Sequence, residues 1–185
     1  MQTLFIEKEI KYTGSELRPH WIYENFKLLG DAIVSFIGET EVHLEEMVDL
    51  EDVINNEPIY SKSMLNFIIE QYDIDLTTMV ALQRLFISIV KETLEEIGIE
   101  VQRQGDDLIY KNRKLSVSIA TKSITSCLIH TGLNIIKEGA PVDASDLSEM
   151  GIKDIKGFAL KIMDKYKQEY ESIKLAVYKV KGRGY

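Results

Sequence analysis

The 185-residue sequence predicts an α+β fold in which a mixed, mainly antiparallel sheet packs against two long helices. Short β-branched segments come in runs separated by turn residues, and two longer segments carry apolar residues at helical spacing. Strands grouped in runs, rather than alternating one for one with helices, are typical of α+β proteins and not of doubly wound ones. The length fits one compact domain, so residues 1–185 are predicted to form a single domain.

The strands are predicted from short apolar segments between turn residues. Residues 32–38 (AIVSFIG) are apolar, β-branched and flanked by glycine, which predicts a buried strand. Residues 59–72 predict another strand, although their second half could equally be helical. Further strands, each bounded by turn residues, are predicted at 99–103, 107–110, 114–121, 126–135 and 175–180.

Two long helices and one short helix are predicted from apolar spacing and capping residues. The first long helix covers 76–97, with Asp75 as its N-cap and Gly98 in the position of a left-handed C-cap. The second covers 153–170. The segment SDLSEMG (145–151) predicts a short helix between the sheet and the second long helix.

The net charge of −8 comes from one segment. Residues 39–57 contain eight acidic residues and no Lys or Arg, and removing them from the 30 acids leaves 22 against 22 bases. Glu45, Glu46, Asp49 and Asp52 recur there at helical spacing, which suits either a solvated face, the preferred prediction, or a site for a hard metal such as Mg²⁺. The remaining chain is neutral and therefore free to hold an anion pocket.

Composition also excludes several classes of protein. No apolar run approaches 18 residues and the N-terminus has no signal-peptide pattern, so we expect a cytoplasmic protein that does not span a membrane. The single cysteine excludes an intrachain disulfide and any CxxC site. Basic residues are scattered, so a nucleic acid is not expected as a partner. Exposed sheet edges predict a homodimer.

The strongest candidate site lies on two predicted strands within residues 103–134. Alternation along a strand puts every second side chain on one face. It groups Lys114, Ser116 and Ser118 on one strand, and His130, Gly132 and Asn134 on the next. Small polar residues leave room for a ligand, and glycine allows a close approach to the backbone. The alternative is an ordinary solvated sheet face with a half-buried histidine.

Two other groups of residues are candidates for ligand contacts. Arg18, His20 and Trp21 combine an anion binder, a titratable ring and a stacking surface, and near Lys114 and Arg103 they would form an anion or nucleotide pocket. The alternative is a loop whose tryptophan packs into the core. The pair Asp106 and Asp107 forms either a hairpin turn or a ligand-binding pair.

Several phrases of the sequence carry a family resemblance. GDAIVSFIGE, QRLFISIV, RQGDDLIYKNRKLSVSIAT and CLIHTGLNI resemble an uncharacterised archaeal family of unknown function that has a biotin/lipoate protein ligase-like, class II aminoacyl-tRNA synthetase-like fold. Lys114 with Leu115, preceded by an aspartate hairpin and followed by a strand with His130 and Asn134, is similar to the lysine segment of the ligases themselves.

The resemblance implies a small-molecule ligand and transferase- or ligase-type chemistry on a carboxylate or acyl group. The lysine matched by Lys114 binds the acid carboxylate and the phosphate of an acyl-adenylate in the ligases, so ATP with Mg²⁺ is the implied cofactor, although the residues identify none. On this interpretation Arg18 and Arg103 assist the lysine, and His130 or His20 handles a proton. No residue is assigned as a metal ligand.

Departures from the ligase pattern leave an alternative open. The transferase cysteine position is Val142, which excludes a thioester mechanism through that turn, and Cys127 falls on an apolar strand face. The arginine- and glycine-rich loops of the ligases are missing. The rival prediction is therefore a non-catalytic domain of the same fold that binds a metabolite or a protein.

Overall fold

The computed structural model describes residues 1–138 and 143–184. Within them the strands are β1 (Gln2–Ile6), β2 (Ala32–Val42), β3 (Ile59–Tyr72), β4 (Gln102–Gln104), β5 (Asp107–Tyr110), β6 (Arg113–Lys114), β7 (Ser116–Lys122) and β8 (Ser126–Ile136). The helices are α1 (Trp21–Phe26), α2 (Leu50–Asn55), α3 (Leu76–Glu95) and α4 (Ile155–Lys179). None of the helices in these residues is long and apolar enough to cross a membrane.

The main sheet has five strands in the order β1-β2-β3-β8-β7. β1 runs parallel to β2, and every other neighbouring pair in this sheet is antiparallel. A small meander of β4, β5 and β6 forms a separate three-stranded sheet. The predicted mixed, mainly antiparallel sheet is therefore confirmed.

The two long helices cover one face of the main sheet. Phe67 of β3, Phe86 of α3 and Tyr166 of α4 meet edge to face, with ring centroids 5.2 and 5.3 Å apart, a geometry that aromatic pairs prefer. α3 begins where predicted, because the Asp75 carboxylate accepts a hydrogen bond from the Thr78 amide.

The other face of the sheet is covered by irregular chain. The segment between β1 and β2 crosses it and packs Tyr12, Leu17 and Trp21 into a second apolar core. The crossing is very close at Gly38 of β2, where the Ile10 amide donates to the carbonyl of the neighbouring Ile37. This segment, together with residues 42–60, encloses the space in which the candidate site lies.

The structure corrects several predicted elements. Residues 59–72 are strand throughout, since they lie in the middle of the sheet and pair on both sides. The final strand predicted at 175–180 is wrong, because α4 continues to Lys179. The predicted short helix at 145–151 is wrong as well, because residues 147–151 form turns in which Asp146 accepts from the Glu149 amide. β1 and α1 were not predicted.

Candidate functional site

A cavity of about 350 Å³ lies between the main sheet and residues 42–60. Its walls come from parts of the chain that are distant in sequence: Tyr12, the acidic segment, the hairpin of β5 and β6, and the sheet residues Met64 and His130. Pockets of 300–1,000 Å³ are typical for small molecules, so this cavity has the volume for a small one.

The floor of the cavity contains His130, which is only 3% exposed. Its ring stacks on the ring of Tyr12, with centroids 3.7 Å apart and planes 11° apart. Nε2 lies 2.9 Å from Asn66 Oδ1, an oxygen that also accepts from Thr40 Oγ1. The Asn66 amide nitrogen donates to the Met64 carbonyl, which fixes the amide orientation and makes Nε2 the donor. Burial lowers the pKa of His130 to about 3, so the ring is neutral with an acceptor at Nδ1.

Lys114 lies at the wall formed by the meander. Its backbone is fixed on both sides, because its amide donates to the Asp143 carbonyl and its carbonyl accepts from the Ser145 amide. Its Nζ is 3.1 Å from Asp107 Oδ1, and both side chains are partly exposed. Burial raises the pKa of Asp107 above its ordinary value, and the Lys114 charge opposes this shift.

The acidic segment forms a second wall that faces Lys114. Five of its carboxylates border the cavity, namely Glu46, Asp49, Glu51, Asp52 and Glu57. Burial and then the Asp49 charge raise the pKa of Asp52, while Lys114 opposes that shift. The expectation of an anion pocket independent of the acidic segment is therefore wrong, because the chain folds this segment over the same face of the sheet.

Asp106 and Asp107 have different partners although they are adjacent. Asp106 Oδ1 is 2.5 Å from Arg84 Nη1, and its other oxygen accepts from Gln83 Nε2 at 2.9 Å. These contacts connect the meander to α3. Both aspartates border the cavity, but only Asp107 contacts the lysine.

Ser116 and Ser118 of β7 were predicted to share a face with His130 of β8, and this prediction is wrong. The register pairs Ser118 with Thr131 and Ile119 with His130, so the serines lie on the opposite face from the histidine. Ser116 Oγ accepts from the Leu108 amide at 2.9 Å, and Ser118 Oγ is 3.0 Å from Gln83 Nε2. Both serines still border the cavity, so they act there as fixed polar edges of the wall.

Gly132 and Asn134 differ in their access to the cavity. A Cβ at Gly132 would come within 3.0 Å of Met64 Sδ and 3.3 Å of Val117 Cγ2, so the methionine already fills the space that the glycine leaves. Asn134 borders the cavity, and its Nδ2 donates to the Ser145 carbonyl at 3.2 Å.

The other predicted residues lie away from the cavity. The His20 amide donates to Glu70, and its Nδ1 is 3.1 Å from the Tyr72 hydroxyl. Glu70 lies six residues, or roughly 20 Å, along β3 from the cavity residue Met64. Arg18 pairs with Glu24 at 2.6 Å.

Trp21 and Arg103 also lie elsewhere. Trp21 is 8% exposed and packs against Phe26 and Phe36, as the alternative interpretation expected. Arg103 donates to the carbonyl of Gly105 within its own turn. The residues that line the cavity do not include Arg18, His20, Trp21 or Arg103.

Sequence reasoning missed the part that Tyr12 plays in the site. No sequence motif surrounds Tyr12. Its backbone is placed beside β2 by an isolated β-bridge to Thr40. The sequence showed the negative charge of the acidic segment but did not show that this segment borders the cavity. Cys127 is buried on the helix side of the sheet, where burial raises the pKa of its thiol, and Val142 falls outside the described residues.

No group of three or more His, Cys, Asp or Glu side chains is placed to hold a metal ion within residues 1–138 and 143–184. The carboxylates of the acidic segment therefore border the cavity without forming a closed set of protein ligands.

Comparison with known proteins supports both the fold and the family. The chain is 39% identical over 179 residues to the uncharacterized protein MJ0805 of Methanocaldococcus jannaschii, covering 94% of this chain and 81% of that protein. A solved structure of a protein of unknown function from Pyrococcus horikoshi is 40% identical, with a TM-score of 0.95 and 99% of both chains covered.

Solved ligase structures share the fold at low sequence identity. Biotin protein ligase from Aquifex aeolicus in complex with biotin and ATP has a TM-score of 0.65 at 17% identity, with 94% of this chain and 72% of that chain covered. Protein Ta0514 from T. acidophilum, described as a candidate lipoate protein ligase with bound lipoic acid, has a TM-score of 0.60 at 12% identity, with 91% and 86% covered. The biotin/lipoate protein ligase-like fold is thus confirmed. Residues 1–181 match the family described as Domain of unknown function (DUF366), and the chain belongs to that family.

Proposed function

We propose that this protein binds a small molecule with a carboxylate or acyl group in the cavity, and acts on it by transferase- or ligase-type chemistry. The observation that carries this proposal is the position of Lys114, the one Lys or Arg side chain among the described residues that line the cavity. An ammonium group has three donors, and the contact with Asp107 uses one of them. The others are available to a carboxylate.

The fold neighbours support a carboxylic acid as the ligand class. Biotin and lipoic acid, bound in two of those structures, are both carboxylic acids with an apolar body. The cavity of this protein matches that chemistry in outline, since Leu17, Val42, Met64 and Ile119 line it together with the polar groups.

The roles proposed for the predicted residues follow from their positions. Lys114 binds the anionic group and Asp107 orients the lysine, while Asn134 offers an amide at the cavity wall. His130 is neutral near pH 7 because its pKa is about 3, so we assign it a hydrogen-bonding role and not proton transfer. Arg18, His20 and Arg103 receive no role, because they are not among the lining residues.

The lining residues do not fit ATP with Mg²⁺. Seven carboxylates and one ammonium among the described lining residues would oppose the entry of a triphosphate. A volume of about 350 Å³ is also near the lower end of the range for ligand pockets. We therefore derive no chemical step through a nucleotide.

A second candidate is a non-catalytic metabolite-binding domain. It is favoured by the chemistry of the lining groups, because the chain's single thiol, Cys127, is buried on the other side of the sheet and the His130 ring stays neutral near pH 7. The two candidates share the ligand and differ in turnover.

Mass spectrometry of the molecules that co-purify with the protein tests the proposal. We expect the wild type and the control Lys122→Ala, whose lysine is exposed on β7 outside the cavity, to retain a carboxylic acid or acyl compound that Lys114→Ala loses. Retention of the same compound by Lys114→Ala would contradict the proposed contact. Binding without any turnover of that compound by the wild type would favour the non-catalytic candidate.

We also propose a homodimer. β1 and β7 are the edge strands of the main sheet, and each leaves one side of its backbone without a strand partner in that sheet. Light scattering over a range of protein concentrations would show a mass of twice 21.2 kDa if this is correct. A monomer at every concentration would exclude it.

A further inference from the structure

We propose that the ligand of the cavity carries a cationic group, of the amine or guanidine class, in addition to the carboxylate that contacts Lys114. The carboxylate part rests on the proposed function, whereas the cationic part rests on the separate features of the cavity described below. Together they define the ligand class as a small amino acid with its two charges separated by an apolar chain.

The first feature is the imbalance of charge around the cavity. Two of the seven lining carboxylates have cationic partners, since Asp106 contacts Arg84 and Asp107 contacts Lys114. The five carboxylates of the acidic wall have no Lys or Arg within 4.0 Å among the described residues. A bound cation would interact favourably with this wall, and a purely anionic ligand would be repelled by it.

The second feature is independent of the acidic wall and concerns Tyr12. This residue is 2% exposed and lines the cavity, and its hydroxyl forms no side-chain hydrogen bond with another described residue. Buried polar groups are rarely left unpaired, which makes this hydroxyl a contact for a ligand.

The third feature is the acceptor at His130 Nδ1. Nε2 is engaged with Asn66 Oδ1, and the ring is neutral, so Nδ1 presents a lone pair beside Tyr12. The cavity therefore offers carboxylate oxygens, a phenol oxygen and an imidazole nitrogen, all of which can accept hydrogen bonds. An ammonium or guanidinium group consists of donors only and is complementary to such a set.

The middle of the cavity is suited to an aliphatic chain. Leu17, Val42, Met64 and Ile119 contribute apolar surface between the polar walls. A volume of about 350 Å³ is near the lower end of the range for ligand pockets, so it favours a compact ligand over one with an attached nucleotide. A short, flexible chain with a charge at each end satisfies both requirements.

Three probes of equal chain length test the carboxylate contact and the cationic group separately. Hexanoate has the carboxylate only, hexylamine has the ammonium only, and 6-aminohexanoate has both. Binding of each to the full chain at millimolar concentration would be followed by ligand-observed NMR and calorimetry. The variants are Lys114→Ala, Asp52→Asn and Tyr12→Phe. The matched control is Glu45→Gln, which removes a charge from the same acidic segment outside the cavity lining.

We expect 6-aminohexanoate to bind about tenfold more tightly than hexanoate to the wild type and to Glu45→Gln. Asp52→Asn should reduce that preference about threefold, because it removes one charge from the acidic wall. Tyr12→Phe should weaken 6-aminohexanoate more than hexanoate.

Other outcomes would overturn one part or both. Equal or tighter binding of hexanoate would contradict the cationic group and leave the proposed function intact. Equal binding of hexylamine and 6-aminohexanoate, unaffected by Lys114→Ala, would contradict the carboxylate contact and support the cationic group. If none of the three probes binds, both parts are wrong for ligands of this size.

Discussion

The imidazole ring of His130 stacks on the phenol ring of Tyr12, with the ring centroids 3.7 Å apart. The two residues are far apart in the chain, and they meet because the segment after β1 crosses the face of the sheet on which His130 lies. Their contact joins that segment to the floor of the cavity. Stability and ligand binding should therefore both depend on this pair.

The buried state of His130 predicts a pH dependence of stability. Its pKa is about 3 in the folded protein and near 6.5 in an unfolded chain. Between these values the unfolded state binds the additional proton, so the free energy of unfolding decreases as the pH falls through that window. We expect this residue to contribute a slope of up to about 1.4 kcal/mol per pH unit, and His130→Gln to make the dependence shallower.

Urea unfolding at a series of pH values between 4 and 7 would measure this slope. His43→Gln is the matched control, since His43 is an exposed histidine of the acidic segment. Its slope should remain steeper than that of His130→Gln. Equal slopes for His130→Gln and the wild type would show that the buried ring is not the source.

Gly38 is predicted to tolerate no side chain. A Cβ at this position would lie 1.9 Å from the Ile10 carbonyl oxygen, and backbone atoms of two crossing segments cannot yield easily. We expect Gly38→Ala to lower the free energy of unfolding by about 3 kcal/mol or more. In the control Gly30→Ala the cost should be about 1 kcal/mol, because that site has open space and only a positive φ to strain. Similar losses in the two variants would contradict the close crossing.

Asp31 is predicted to attach α4 to the sheet. Its carboxylate accepts from the Tyr170 hydroxyl at 2.7 Å, Lys174 Nζ at 2.9 Å and the Tyr72 amide at 3.0 Å. Burial disfavours its charge, but these hydrogen bonds together lower the pKa of Asp31 below its ordinary value. The stabilisation is therefore present above the ordinary pKa, near 3.9, and is lost as the pH falls below it.

Asp31→Asn should reduce the free energy of unfolding by about 1–3 kcal/mol near pH 7. Hydrogen exchange should accelerate first in the last two turns of α4, which lie beyond Tyr170. Asp73→Asn is the control, because Asp73 is exposed and asparagine tolerates its positive φ. Unchanged exchange in α4 of Asp31→Asn would mean that other contacts attach the helix.

The N-cap of α3 should contribute measurably to stability. Asp75→Ala removes the acceptor for the Thr78 amide and should cost about 1 kcal/mol. Asp75→Asn retains an acceptor and should cost only a few tenths of a kcal/mol. Thermal and urea unfolding of the two variants would compare them directly, and equal losses would argue against the cap.

Local patterns were sufficient for much of the fold. The apolar, β-branched run in residues 32–38, the capped helix after Asp75 and the turn-separated strands around Lys114 each depend on near neighbours in the chain. The resemblance in those same phrases led to the ligase-like fold and to the family, and both are confirmed. The predicted elements were wrong where contacts between distant parts of the chain outweigh the local pattern. Residues 175–179, for example, were predicted as part of a strand but continue α4 beyond Tyr170, whose hydroxyl donates to Asp31.

From the sequence alone we predicted a ligand face around Lys114, His130 and Asn134, and the excess negative charge could be located in residues 39–57. The long-range contacts of the folded chain bring these two features to one cavity. The register of β7 against β8 turned Ser116 and Ser118 away from His130. The crossing at Gly38 brought Tyr12 onto the histidine ring, and the fold of residues 42–60 carried the carboxylates to the lysine. Strand register and chain crossings are set by long-range packing, which local sequence patterns do not encode.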